Sequence, residues 1–196
     1  LGAVGTVTGS RYLLEDDNRK ILVDAGLFQG RKELRERNWT PPTFDPAEID
    51  AVLLTHAHID HSGYIPRLVK EGFRGPVYCT AATQDLCNIL LPDSGHLQEE
   101  DAESANRHGY SRHHPALPLY TQEDAEVALE HFRPVEFGKR YALKDSLLGF
   151  TMYRAGHILG AAFIRIDDGM TSILFGGDIG RLNNPVMKPP AKIPIS

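Results

Sequence analysis

The chain is short of sulfur, of tryptophan and of long apolar runs, and each shortage closes off a class of protein. Its two cysteines, Cys79 and Cys87, have neither Cys-x-x-Cys spacing nor the dense, even pattern of a disulfide scaffold, so both read as buried thiols in a reducing compartment. No segment reaches the uninterrupted apolar length that crosses a bilayer, and the opening Leu1-Gly2-Ala3-Val4-Gly5-Thr6 is not a basic then apolar export signal. The expected setting is the cytoplasm, with no membrane involved. The chain does not start with Met, which leaves room for upstream residues, a targeting peptide among them. Positive charge is scarce as well. With 21 Lys and Arg against 26 Asp and Glu the formal charge is −5, whereas a protein that grips phosphates usually carries a basic stripe. Bound divalent cations, or a basic surface outside this segment, would have to offset that deficit.

What is present is an ordinary globular composition, 41% apolar over 196 residues, enough for about one domain with a sizeable core. Within it, Thr55-His56-Ala57-His58-Ile59-Asp60-His61 follows directly on the apolar run Ala51-Val52-Leu53-Leu54 and sets four potential metal ligands in six consecutive positions. His56 and His58 are two apart, so they project to the same side of an extended segment. Asp60 and His61 follow where the chain turns into a helix and can face a second metal. Imidazole suits zinc and a carboxylate can hold a harder ion, so the mixture favours zinc without excluding manganese or iron.

Around this cluster the pattern is that of an α/β chain. Arg11 to Glu15 and Lys20 to Asp24 read as a hairpin turning at Asp16-Asp17-Asn18-Arg19, beside a glycine-rich opening strand and loop in which Gly2, Gly5 and Gly9 make tight turns. Gly30 to Asn38 interleaves Arg31, Lys32, Arg35 and Arg37 with Glu33 and Glu36, the pattern of an exposed, ion-paired helix. Ala51 to Thr55 is a buried strand, His61 to Glu71 a helix stopped by Gly72, and Pro76 to Thr80 the next strand. Residues 82 to 107 are helical with an interruption at Pro92-Asp93, and Thr121 opens a further helix to Phe132 with a capping box. His96, His108, His113, His114 and His131 in this region read as surface or packing histidines. Short strands follow at Leu148 to Arg154, Ala161 to Asp167 and Ser172 to Gly176, with a hairpin turn at Asp168-Gly169. His157 and Asp178 then sit in loops at strand termini, and the proline-rich stretch 183–196 reads as a connector.

Asp24, the 56 to 61 cluster, His157 and Asp178 thus fall at strand ends that a sheet would gather along one rim. Together they resemble the four motifs of the metallo-β-lactamase superfamily. The flanks Gly5-Thr6-Val7-Thr8-Gly9-Ser10, Asp24-Ala25-Gly26-Leu27-Phe28-Gln29-Gly30, Ala155-Gly156-His157-Ile158-Leu159-Gly160-Ala161 and Gly177-Asp178-Ile179-Gly180-Arg181 resemble its β-CASP branch of RNA-processing nucleases, as does Gln98 to Ala102 leading to Pro118-Leu119-Tyr120-Thr121. The glyoxalase-like third motif, Thr-Pro-Gly-His-Thr, is absent.

The resemblance implies an αββα sandwich of two mixed sheets, incomplete in this chain, with residues 1–182 as the front part of the domain and 183–196 leading to a β-CASP insertion. It implies two zinc ions: His56, His58 and His157 on the first, Asp60 and His61 on the second, and Asp178 bridging both. The second ion's last protein ligand would come from sequence after the insertion, which this chain does not include. Asp60 would steer a bridging hydroxide, and Asp24 would orient ligands or solvent, so both are expected to serve catalysis. The implied reaction is hydrolysis of RNA, endonucleolytic or 5′ to 3′ exonucleolytic, in a homodimer or an RNA-processing complex. Because one fold hosts many reactions, two rivals stay open: a thioester or lactone hydrolase of the same fold, and a non-catalytic scaffold subunit.

Overall fold

A computed structural model of the chain describes residues 1–3, 5–16, 19–144 and 146–193. The turn residues Asp17 and Asn18 and the last three residues of the expected connector lie outside the described residues. Among the described residues nine strands form two sheets. In the first, β1 (Tyr12–Asp16) and β2 (Arg19–Val23) form the expected hairpin, and β3 (Ala51–Leu53), β4 (Val77–Thr80) and β5 (Phe132–Val135) extend it in parallel. In the second, β6 (Arg140–Ala142), β7 (Gly149–Arg154), β8 (Ala162–Asp167) and β9 (Ser172–Phe175) pair antiparallel, with an isolated parallel bridge between Phe137 and Met152.

Alternation along the strands decides what each face covers. Ile21, Val23, Ala51 and Leu53 point to the second sheet and meet Phe150, Met152, Ala162, Ile164 and Ile166 there. Leu22, Val52, Val77 and Cys79 point the other way, under the helices α3 (Ile65–Lys70), α4 (Ala81–His108) and α5 (Gln122–Leu129). The layers among the described residues are therefore helix, sheet, sheet. Both cysteines are buried and unbonded to each other; burial pushes the Cys87 thiol up to about 12 and the Cys79 thiol higher still, so neither is a ready nucleophile.

Several sequence expectations need correction. The glycine-rich opening forms turns and no strand among its described residues. The helix expected over His61 to Glu71 is two short ones, α2 (Ile59–Ser62) and α3, because the Tyr64 amide leaves the helical ladder to donate to Ala25 O at 2.7 Å. Pro92 does not interrupt α4, which runs unbroken past it. The cost of one missing amide is offset by tertiary packing: Cys87, Leu91 and Gly95 lie on the buried face. At Gly95 an added Cβ would come within 2.6 Å of Thr121 O, so α4 and the start of α5 touch through backbone. The capping box at Thr121 and Asp124 is present, but α5 ends at Leu129 and Phe132 begins a strand. Pro134 sits within it because β5 is the outer strand of the sheet, where a missing amide is tolerated. The Gly30 to Asn38 helix is confined to α1 (Lys32–Glu36) followed by a 3-10 turn at Arg37–Trp39, and it does carry an ion pair, Lys32 to Glu36 at 3.9 Å.

Candidate metal centre

The ligand loop leaves β3 at Leu53 and is held from two sides. On one side the loop after β2 lies along it: Asp24 N donates to Leu53 O at 3.0 Å, Ala25 N to His61 O at 2.7 Å and Leu27 N to Ile59 O at 2.9 Å. Gly26 is needed there, since an added Cβ would fall 1.6 Å from Asp60 O. Arg11, itself buried, fixes this loop by donating from Nε and Nη2 to Gly26 O at 2.9 and 2.8 Å while its guanidinium lies 3.6 Å from the centre of the Tyr64 ring. On the other side Ala162 N donates to Thr55 O at 2.9 Å, which ties the second sheet to the same loop. The loops carrying His157 and Asp178 are packed on each other through Gly180, whose Cβ would fall 1.8 Å from Gly156 O.

These constraints bring the expected ligands together. His56 Nε2 lies 3.1 Å from His58 Nδ1, and His157 Nε2 lies 3.3 Å from the same atom. Asp178 Oδ2 is 3.4 Å from His157 Nε2 and 3.9 Å from His56 Nε2, and one ligand atom from each of these four residues falls within 4.8 Å of every other. The other oxygen of the same carboxylate, Oδ1, is 3.5 Å from His61 Nε2, which in turn is 4.0 Å from Asp60 Oδ2. Asp178 therefore turns Oδ2 to the three imidazoles of His56, His58 and His157 and Oδ1 to the pair His61 and Asp60.

The donor chemistry fits a cation. His58 Nδ1 can share a proton with only one of the two imidazole nitrogens aimed at it, so at least one lone pair at this point is left for a cation. Zinc–nitrogen bonds of about 2.0–2.1 Å in a tetrahedron place neighbouring nitrogens about 3.3–3.4 Å apart, close to the observed separations. Burial and the surrounding imidazoles press His56 down to about 2, and burial with His157 lowers His58, so both are held neutral, the form that binds metal.

Beneath the ligands sits Asp24, 1% exposed and at φ 58°, a left-handed conformation that a short polar side chain tolerates. Its Oδ1 accepts from Thr55 N at 2.8 Å, and its Oδ2 accepts from Thr55 Oγ1 at 2.9 Å and from His61 Nδ1 at 2.7 Å. Because the Thr55 hydroxyl proton goes to Asp24, Thr55 Oγ1 accepts from His56 Nδ1 at 3.0 Å. One carboxylate thus sets the tautomer of two histidines and leaves both Nε2 lone pairs facing the centre. Burial opposes a charge on His61, but the hydrogen bond and charge of Asp24 outweigh it and raise its pKa. Thr55 was legible only as part of the run; its relay role needed the geometry. A cavity of about 470 Å³ lined by Thr6, Ser10, Tyr12, Phe175 and Gly176 opens onto His61 and Asp178. His96, His108, His113 and His114 are all exposed, and His131 is tied to Gly75 O at 2.9 Å, so none joins the centre.

Residues 13–188 match the model of the metallo-β-lactamase superfamily domain. The chain belongs to the metallo-β-lactamase superfamily. Ribonuclease TTHA0252 of Thermus thermophilus is 40% identical over 195 residues, covering 100% of this chain and 40% of its own length. Transcription termination factor FttA of Methanocaldococcus jannaschii is 30% identical over 191 residues, covering 96% of this chain and 28% of its own. The chain thus spans less than half the length of these curated relatives, whose names agree with the RNA-processing branch that the flanking segments resemble. Among solved structures, a subclass B3 metallo-β-lactamase of Bradyrhizobium japonicum superposes with a TM-score of 0.49 and 22% identity over 87% of this chain and 56% of that one. No helix of the described residues is long and apolar enough to cross a membrane.

Proposed function

We propose that this chain is the metal-binding front part of a metal-dependent ribonuclease that hydrolyses phosphodiester bonds of RNA with two zinc ions. The observation that carries the reading is the convergence of His56, His58, His157 and Asp178, with the second oxygen of Asp178 turned to His61. In this reading His56, His58 and His157 would hold one ion and Asp60 and His61 the other, with Asp178 available to both. Such ions, when bound, supply Lewis acidity to phosphate oxygens and lower the pKa of water from near 16 toward about 7. The protein's own part is positioning. Asp24 and Thr55 fix the imidazoles of His56 and His61, and Asp60, partly exposed beside His61, would orient solvent there. RNA as substrate is supported by the ribonuclease and termination-factor relatives.

The test is to incubate the full-length, metal-replete protein with end-labelled RNA, with and without chelator. Cleavage that disappears with chelator and returns with zinc is the expected outcome, and His58→Ala abolishes it. Cleavage indifferent to chelator, or none from metal-replete protein, overturns the reading.

A further inference from the structure

Part of the stretch expected to be a connector is docked against the loop that carries His157. Ala191 N donates to Arg154 O at 2.8 Å and Arg154 Nε donates to Pro189 O at 3.1 Å, so the strap's main chain is held by both the carbonyl and the side chain of Arg154 on β7. Ile193 packs on Ala155, Ala161 and Phe163. At Gly156, next to His157, an added Cβ would come within 2.6 Å of Lys188 O and 3.0 Å of Pro190 N. The strap therefore crosses directly over the loop that carries His157.

Its charge is one-sided. From Ile179 to Ile193 the sequence holds Arg181, Lys188 and Lys192 and no carboxylate, in a chain of net charge −5. All three side chains are exposed, and none has a hydrogen bond or ion pair among the described residues. Arg181 follows Asp178 by three positions and adjoins Gly180, whose amide donates to Ala155 O at 3.0 Å. The segment 31–37, with Arg31, Lys32, Arg35 and Arg37 against Glu33 and Glu36, is a weaker candidate: Glu36 engages Lys32 and Arg112, and Arg37 lies 4.2 Å from the Phe28 ring centre. Exposed, unpaired cations on a backbone segment that is held against the His157 loop are an electrostatic footprint for a polyanion, and side chains that touch phosphates position a strand without reading its bases.

We propose that Arg181, Lys188 and Lys192 form a substrate rim that holds the phosphates of the RNA strand flanking the bond to be cut. The inference rests on the ribonuclease reading, so its test separates the two. In full-length, zinc-loaded protein, the slope of log kcat/KM against log salt is measured with an RNA oligonucleotide for the parent and for Arg181→Ala/Lys188→Ala/Lys192→Ala. Bis(p-nitrophenyl) phosphate, too small to reach the rim, is the parallel substrate. The slope falls by about 0.7 per cation removed, about 2 for the triple variant. KM for RNA rises about tenfold with kcat held within about twofold, the signature of lost uniform binding. Turnover of the small diester stays unchanged, and Arg181→Lys/Lys188→Arg/Lys192→Arg retains the parental slope. An unchanged slope and KM in the triple alanine variant overturns the rim while leaving the ribonuclease reading intact. So does a parallel loss of turnover on both substrates, which would mean the cations act through the metal centre. A parent that cleaves neither substrate removes both.

Discussion

Asp24 does more at the level of single residues than any ligand, although it is nearly sealed from solvent. Its three strong hydrogen bonds reach Thr55 and His61 and, through the Thr55 hydroxyl, His56. Asp24→Asn preserves the shape but puts an amide group where an acceptor is needed, and the tautomers of His56 and His61 are no longer enforced. Zinc affinity is expected to weaken about 10–100-fold, the usual consequence of losing the carboxylate behind a ligating histidine. Competition against a chromophoric chelator reads this directly, and an unchanged affinity would remove the orienting role. Thr55→Ala should move His56 in the same direction and leave the His61 contact with Asp24 in place.

At the level of elements, the centre is built where strands end and loops interlock, and helices are attached to it by specific bonds. Thr80 caps α4 by accepting from Thr83 N at 3.3 Å, and its hydroxyl donates to Gly160 O at 2.8 Å in the loop that carries His157. Thr80→Ala removes both contacts and should lower unfolding free energy by about 1–2 kcal/mol, measurable as a shift in urea midpoint with the slope preserved. A loss confined to helical signal, with metal binding untouched, would show that the link to Gly160 carries nothing. This scale also explains what was legible in the sequence. The run from His56 to His61 and the strand ahead of it could be read because apolar continuity and ligand spacing are local properties. β5 could not, because a proline inside a strand is tolerable only at a sheet edge, and edge position is decided by neighbours distant in sequence. The continuity of α4 past Pro92, and the return of 188–193 onto Arg154, likewise depend on tertiary contacts that no local pattern encodes.

For the molecule as a whole, the centre joins the two sheets: the 56–61 loop extends from the first, and His157 and Asp178 follow strands of the second. A bound ion therefore favours the assembled sandwich over the open chain, by about 2.7 kcal/mol at a hundredfold excess over Kd. Zinc should raise the melting temperature and chelator should lower it, as followed by scanning calorimetry. The His58→Ala protein should respond to neither. A melting temperature independent of zinc in the parent would mean that the ligands do not bridge the layers. The strap over Gly156 ties its own segment to this unit, so its docking and the integrity of the His157 loop are expected to rise and fall together.

His157 lies 99 positions beyond His58, and a ribosome delivers them in that order. The nascent polypeptide thus exposes an unfinished chelate, two imidazoles with Asp60 and His61, long before the later hairpins exist to close it. Any ion captured during that interval would be loosely held and exchangeable. The group of His56, His58, His157 and Asp178 therefore assembles only when β9 has docked and Asp178 comes into reach, after the 56–61 loop and the helices that follow it have been made.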